Sequence, residues 1–259
     1  MNWTVALAAL GLVMLAMTAV WLLSVRLRDA SVVDAFWGSG FALLALLYGI
    51  VGDGPTTSQI LVTSLALIWG LRLSIHIFTR QKGKPEDWRY AAWRSSAGAS
   101  FWWKSYFTVF LLQGLLMWVI SAPLMVGQSA GVPEGLSPVA LLGVAVWTVG
   151  FVFEAVGDAQ LRRFKADPDN KGRVMQTGLW AFTRHPNYFG DCMVWWGFFL
   201  MAMAAPGGAW TVFSPIMMTV LLLRVSGVSL LESGLRETRP DYAEYASRTS
   251  AFIPWRRAR

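Results

Sequence analysis

Only one cysteine, Cys192, and two histidines, His76 and His185, occur in the 259 residues. The lone cysteine excludes an internal disulfide, and two histidines are too few for a protein-built zinc site. Charge is scarce as well: Asp, Glu, Lys and Arg make up 14% of the chain, against roughly a quarter in a soluble domain. No G-x-G-x-x-G follows a strand, and there is no phosphate-binding P-loop. Gly38-Ser39-Gly40 sits inside an apolar run, where close helix packing is its expected use. A Rossmann domain is thereby excluded, and any nucleotide must be held by other means. What the chain has instead is apolar mass, 55% of its residues, with a mean hydropathy of +0.47. It reads as an integral membrane protein. Its 15 Trp and 15 Phe suit interfacial belts and helix packing.

Seven segments are apolar over the length that crosses a bilayer as a helix: Trp3–Val25, Val33–Val51, Ser58–Phe78, Phe101–Val126, Pro138–Gly157, Tyr188–Ala205 and Thr211–Leu231. The first lacks a basic leader and is too long for a signal sequence, so it is expected to be retained. Lys and Arg follow spans one, three, five and seven, and the alternate connections hold none. The positive-inside rule then puts the N-terminus outside and the C-terminus in the cytoplasm. The formal charge of +7 is accounted for by this topology and by anionic lipid, without nucleic acid. The expected architecture is all-α. It is one membrane-embedded domain over residues 1–259, with cytoplasmic loops 79–100 and 158–187 and a cytoplasmic tail 232–259.

Ionisable residues at membrane depth are costly and usually mark a site. Asp34 opens span two. Arg72 and His76 lie four apart, on one face of span three, and Glu154, Asp158 and Arg162 repeat that spacing at the end of span five. Arg184-His185-Pro186-Asn187-Tyr188-Phe189-Gly190-Asp191 leads into span six, and Arg224 and Glu232 mark the inner end of span seven. Structural ion pairs such as Asp34–Arg72, or snorkelling side chains, are one explanation. The sharper expectation is a polar cavity open to the cytoplasm. Glu154, Asp158, Asp191 and Glu232 offer acceptors for ribose hydroxyls and amides. Arg162, Lys165, Arg173, Arg184 and Arg224 offer donors for phosphates, and Asn187 and Tyr188 add an amide and a phenol at the mouth. Pro240 can begin a short helix carrying Tyr242 and Tyr245, and Phe252-Ile253-Pro254-Trp255 can return to the interface. The tail is either an interfacial anchor or a lid.

The Arg184–Asp191 motif, the Asp158-x-x-x-Arg162 segment and the tail pattern Glu232…Pro240-x-Tyr242-x-x-Tyr245…Phe252-Ile253-Pro254 resemble the steroid 5-alpha-reductase family. Ser31-Val32-Val33-Asp34-x-x-Trp37-Gly38, Trp69-Gly70-Leu71-Arg72-Leu73 and Gly83-Lys84-Pro85-Glu86-Asp87-Trp88-Arg89-Tyr90 are similar to its bacterial branch of uncharacterised membrane proteins. The resemblance runs from about Ser31 to Trp255. It implies a seven-helix fold in a bacterial inner membrane that binds NADPH from the cytoplasm. The implied reaction reduces the carbon–carbon double bond of a 3-oxo-Δ4 steroid, or a similar lipophilic enone entering from the bilayer. By motif, Asp158, Arg162, Lys165, Arg173, Asn187, Asp191 and Arg224 line the cofactor. Arg184, His185, Tyr188, Glu232 and Tyr245 are expected beside it, although Glu232 stands where steroid reductases usually carry an aromatic residue. Asp34 is the implied ketone-holding carboxylate, and the family's partner tyrosine falls at Trp69. Protonated Asp34, the Trp69 indole N–H or His76 would stabilise charge developing on the ketone oxygen.

Arg-His-Pro-x-Tyr-x-Gly with a following Glu and a Tyr-x-x-Tyr tail also resembles membrane methyltransferases of the isoprenylcysteine carboxyl type, which bind S-adenosylmethionine. The many cations favour a phosphorylated cofactor over that one. A non-enzymatic lipid-binding protein is the third class.

Overall fold

Backbone polar groups in hydrocarbon must be satisfied within the segment, which leaves a helix as the solution for a single apolar stretch. The computed structural model describes residues 3–225 and 227–255, without the side chains of Ser229, Leu230, Ser233, Arg236 and Glu237. Arg256, Arg257 and Arg259 of the basic tail lie outside the described residues. Among those described the fold is helical throughout, with no strand and one isolated bridge between Thr183 and Ser250. Among the described residues, six helices are long and apolar enough to cross a membrane: Trp3–Leu27, Val32–Val51, Thr56–Gln81, Trp88–Ile120, Pro138–Ala166 and Gly208–Val225. The expected span Tyr188–Ala205 is a helix over Pro186–Ala202, 17 residues, or about 25 Å at 1.5 Å per residue. It is the shortest of the expected set. The described chain falls into two compact units, residues 1–137 with 202–211, and residues 138–201 with 212–259.

In the first unit, α1 (Trp3–Leu27) ends in a Schellman turn. Asp29 N–H reaches Ser24 O at 3.0 Å and Arg28 N–H reaches Val25 O at 3.4 Å, with Arg28 left-handed at φ 54°. Glycine is the usual occupant of that position. α2 (Val32–Val51) and α3 (Thr56–Gln81) pack through glycines. A Cβ on Gly38 would lie 2.1 Å from Gly70 O, and one on Gly70 would lie 2.3 Å from Gly38 O. The packing role expected of Gly38 is therefore met. The connection after α3 holds its own helix, α4 (Trp88–Ala97), started by Asp87, whose carboxylate accepts from Arg89 N–H at 3.0 Å. Span four is not one regular helix. After α5 (Phe101–Ser105) comes a π-helical stretch over Tyr106–Leu111, then α6 (Leu112–Ile120), a break at Ser121, and α7 (Ala122–Val126). Pro123 explains the break, since its ring cannot continue the preceding turn. Tyr48 and Ser121 hydroxyls meet there at 2.8 Å.

The second unit contains α8 (Pro138–Ala166), α9 (Pro186–Ala202), α10 (Phe213–Val220) with a π-helical extension over Leu221–Val225, α11 (Val228–Thr238) and α12 (Tyr242–Arg248). α8 and α9 meet along glycines spaced by seven, Gly143, Gly150 and Gly157 on one helix and Gly190 and Gly197 on the other. A Cβ on Gly150 would lie 2.6 Å from Gly190 O, and one on Gly190 would lie 2.4 Å from Glu154 N. Lipid offers no hydrophobic drive between helices, so backbone approach of this kind is what holds them.

Candidate functional site

The close approach of α8 and α9 fixes the second unit's polar residues. Glu154 and Asp158 are 2% and 6% exposed on α8. Asn187, in the first turn of α9, donates from Nδ2 to Asp158 Oδ1 at 3.1 Å. Gly157 faces Pro186 and the Asn187 backbone, so this pairing sits where the helices begin to cross. Asp191 follows one turn after Asn187 and is half-buried. Beyond Asp158, α8 runs into open surface, and Arg162, Lys165 and, in the next turn, Arg173 are all exposed. The returning loop is tied to α8. Trp180 Nε1 donates to Gly157 O at 3.1 Å, and Leu179 N–H donates to Gln160 Oε1 at 3.0 Å. Of the residues expected beside a cofactor, buried Asp158 and half-buried Asn187 are in contact, and Arg162, Lys165 and Arg173 are exposed on and after the same helix. Arg224 is exposed on the π-helical extension of α10.

Arg184, His185, Glu232 and Tyr245 form a separate arrangement. Arg184 donates from Nε and Nη2 to the two Glu232 oxygens at 2.8 and 3.2 Å, and from Nη1 to the carbonyls of Ala246 and Thr249 at 2.8 and 3.1 Å. His185 Nε2 lies 3.1 Å from Glu232 Oε1, and its ring stacks on Tyr188 at 5.7 Å. Alongside, Arg184 N–H donates to Ser250 O, Thr183 Oγ1 to Phe252 O, and Tyr245 OH to Trp180 O at 2.6 Å. The tail is clasped against residues 180–185, with Tyr242 and Tyr245 buried. Burial pushes the Glu232 carboxyl upward, but the hydrogen bonds from His185 and Arg184 and their charge outweigh it and bring the pKa down to about 2.

In the first unit, Asp34 has two donors. Arg89 Nη2 reaches Oδ2 at 2.8 Å and the Tyr90 hydroxyl reaches Oδ1 at 2.7 Å. The Arg72 partnership considered for Asp34 is replaced by Arg89, because α4 begins beside the start of α2 and carries Arg89 and Tyr90 on its first turn. The chain of contacts continues. Gln113 Nε2 donates to Tyr90 OH at 3.4 Å, and Trp37 Nε1 donates to Gln113 Oε1. Arg89 Nε also binds Asp87 at 2.8 Å, and Arg94 forks onto Glu86 at 2.8 and 2.9 Å. For both Glu86 and Asp87, burial pushes the carboxyl up and the arginine hydrogen bonds outweigh it, so each lies below the usual carboxylate range. Trp69 is fully buried, 5.9 Å from Phe41, and His76 is half-buried two turns further along α3. Neither is among the hydrogen-bond partners of Asp34. Both Asp34 oxygens act as acceptors, and the O–H donor in the cluster is Tyr90. Tyr90 and Gln113 had no place among the expected catalytic residues. The available signal was Gln113, a polar side chain inside an apolar span.

A family model described as a protein of unknown function, DUF1295, matches residues 20–249. An uncharacterised protein of Schizosaccharomyces pombe is 23% identical over 261 residues, covering 90% of this chain and 75% of its own length. That relative is fungal, not bacterial. Human 3-oxo-5-alpha-steroid 4-dehydrogenase 1 is 29% identical over 74 residues, which is 29% of each chain. A probable O-methyltransferase of Ustilaginoidea virens is 33% identical over 73 residues, 28% of this chain and 26% of that protein. The chain thus spans less than a third of the dehydrogenase and methyltransferase it matches. No solved structure matches.

Proposed function

The chain belongs to the DUF1295 family, and from that premise we propose that it is a membrane reductase that uses NADPH to saturate the carbon–carbon double bond of a lipophilic enone, a 3-oxo-Δ4 steroid being the model substrate. The segment shared with 3-oxo-5-alpha-steroid 4-dehydrogenases supports the reaction class. The observation that carries the cofactor is the second unit's polar set, buried Asp158 paired with half-buried Asn187, with Arg162, Lys165 and Arg173 exposed on and after the same helix. Phosphates suit exposed guanidinium and ammonium groups, and ribose or amide groups suit a carboxylate–amide pair. These residues fit a phosphorylated dinucleotide. Arg162, Lys165 and Arg173 would hold the phosphates, and Asp158, Asn187 and Asp191 the sugar or amide atoms. Bound there, NADPH supplies a hydride. We assign the cofactor-binding side to the cytoplasm from the Lys and Arg distribution.

The catalytic role expected of Asp34 is carried jointly with Tyr90. Reduction of an enone builds negative charge on the ketone oxygen, and a fixed neutral donor stabilises it without solvent reorganisation. The Tyr90 hydroxyl is oriented by Asp34 on one side and approached by Gln113 on the other. Turned from Asp34 to a ketone, its single O–H supplies the hydrogen bond, while Arg89 keeps Asp34 paired.

The O-methyltransferase segment favours a second reading, transfer of a methyl group from S-adenosylmethionine. Thermal unfolding of purified protein with each cofactor separates the two. A ligand of the native state at 100 times its Kd raises stability by about 2.7 kcal/mol. NADPH is expected to raise the midpoint and Asn187→Ala to abolish that rise. A rise with S-adenosylmethionine alone sinks the reductase reading, and a rise unchanged in Asn187→Ala sinks the site.

A further inference from the structure

The end of α1 is built around an arginine in an unusual place. At the Schellman position a left-handed backbone is needed, and glycine takes it without strain. Here Arg28 takes it, at φ 54°, and it is the one non-glycine residue with positive φ among those described. A solvated surface cation has no need of that position, since Arg26, two residues earlier, is equally exposed on regular helix. Strain that persists at one side chain points to what the side chain does.

Arg28 lines a cavity of about 620 Å³ together with Ser24, Arg94, Gly98, Phe101 and Trp102. That volume lies within the roughly 300–1,000 Å³ typical of small-molecule sites. The Arg28 guanidinium makes no hydrogen bond or ion pair with any described residue. Arg94 commits Nε and Nη2 to Glu86 and lies 4.4 Å over the Phe101 ring, leaving Nη1 without a protein acceptor among the described residues. The Glu86 fork holds the Arg94 guanidinium plane in place in the cavity wall. Gly98, at φ +55° with nothing within 4 Å of a would-be Cβ, keeps the wall open. Arg28 and Arg94 both line the cavity, and paired guanidinium groups suit a tetrahedral oxyanion.

The surroundings select the kind of anion. Leu22, Leu23, Val25 and Leu27 are exposed on the last two turns of α1, the helix whose Ser24, Val25 and Arg28 line the cavity. Trp102 and Trp103 are exposed at the start of the span that follows, where an aromatic belt meets the headgroup level. Apolar chain beside a paired-guanidinium cavity at that level matches one chemistry. We infer that this cavity binds the phosphate of an anionic phospholipid, with the acyl chains lying along the exposed leucines of α1. Free phosphate offers the guanidinium groups the same oxygens but nothing for the apolar face.

The test uses the full chain purified in a neutral detergent. It is titrated separately with phosphatidylglycerol, phosphatidylcholine and inorganic phosphate, and followed by lipid adducts in native mass spectrometry and by the unfolding midpoint. Phosphatidylglycerol is expected to bind at least about tenfold tighter than phosphatidylcholine, as two arginines near an anionic headgroup warrant. Arg28→Gly, which puts the favoured residue in the turn, is expected to keep or raise the lipid-free midpoint and to lose the preference. Arg94→Lys retains a cation for Glu86 but removes the outer nitrogen, and is expected to weaken the preference. Equal binding of the two lipids, or a preference untouched in Arg28→Gly, overturns the inference. Stabilisation by inorganic phosphate as large as that by phosphatidylglycerol overturns the lipid as the source of the anion.

Discussion

Two carboxylate–arginine clusters in this protein share a plan and end differently. Glu232 receives Arg184 and His185, and Asp34 receives Arg89 and Tyr90, in each case a guanidinium plus a second ring donor. Beyond the carboxylate, Arg184 turns to backbone, with Nη1 on two tail carbonyls. The Asp34 cluster turns to side chains, through Tyr90 to Gln113 and Trp37. A cation that ends on carbonyls fixes the path of the chain. A carboxylate that ends on a phenol positions a donor whose single proton can be turned from the carboxylate to another acceptor. The difference sets an Arg-His motif that ties down the chain beside an apolar helix against an aspartate at the start of a span that ends on side chains.

The largest effect is expected from breaking the fastening. Arg184→Ala removes both oxygen contacts from Glu232 and leaves the Ala246 and Thr249 carbonyls without their donor. Side-chain exposures of 11% and 12% make this a largely buried pair, and losing one member costs about 2–4 kcal/mol. The expected outcome is a lower unfolding midpoint and early proteolytic cleavage between α11 and the end of the described tail. NADPH affinity that falls while the midpoint holds would reverse the comparison and return Arg184 to the cofactor.

Acid sharpens it next. Free glutamate titrates at 4.5, and Glu232 in the fold at about 2. The folded state favours the ionised form, so the stabilisation is complete above about pH 4.5 and is lost as pH falls toward 2. The shift sets this contribution at no more than about 3 kcal/mol. Midpoints measured across that window are expected to fall more steeply in the wild type than in Glu232→Gln, which has nothing to lose there. Parallel curves would show that Glu232 gains little from its partners.

How far all this could be read from sequence depended on whether the partner has a residue type. Hydropathy located the six helices that are long and apolar enough to cross a membrane among the described residues, because each must satisfy its backbone alone, and Gly38 was readable because packing glycines stand out in apolar runs. The fastening was hidden because the acceptors of Arg184 are carbonyls, which every residue carries. The partner of Asp34 was hidden by the helix between residues 88 and 97, which brings Arg89 to α2 from a stretch that reads as loop. Gln113 was in view but neutral, and a search limited to ionisable groups passes over it. Gly143, Gly150, Gly157, Gly190 and Gly197 display their spacing of seven openly. Only the pairing of α8 with α9 gives that spacing its meaning.

The smallest effect on stability is expected from Tyr90→Phe, and it carries the sharpest distinction between the clusters. The ring keeps its edge contact with Trp93 at 5.6 Å, and Asp34 keeps Arg89. Two hydrogen bonds are lost, the one donated to Asp34 and the long one accepted from Gln113, at a cost of about 1–2 kcal/mol. If Tyr90 is the donor to the ketone, activity should fall by about 100-fold or more, in kcat more than in KM, because the contact strengthens as charge develops. Asp34→Asn keeps an acceptor for the phenol and should fall less than Tyr90→Phe. A Tyr90→Phe protein that turns over enones at the wild-type rate would make the first cluster a fastening too, and erase the comparison.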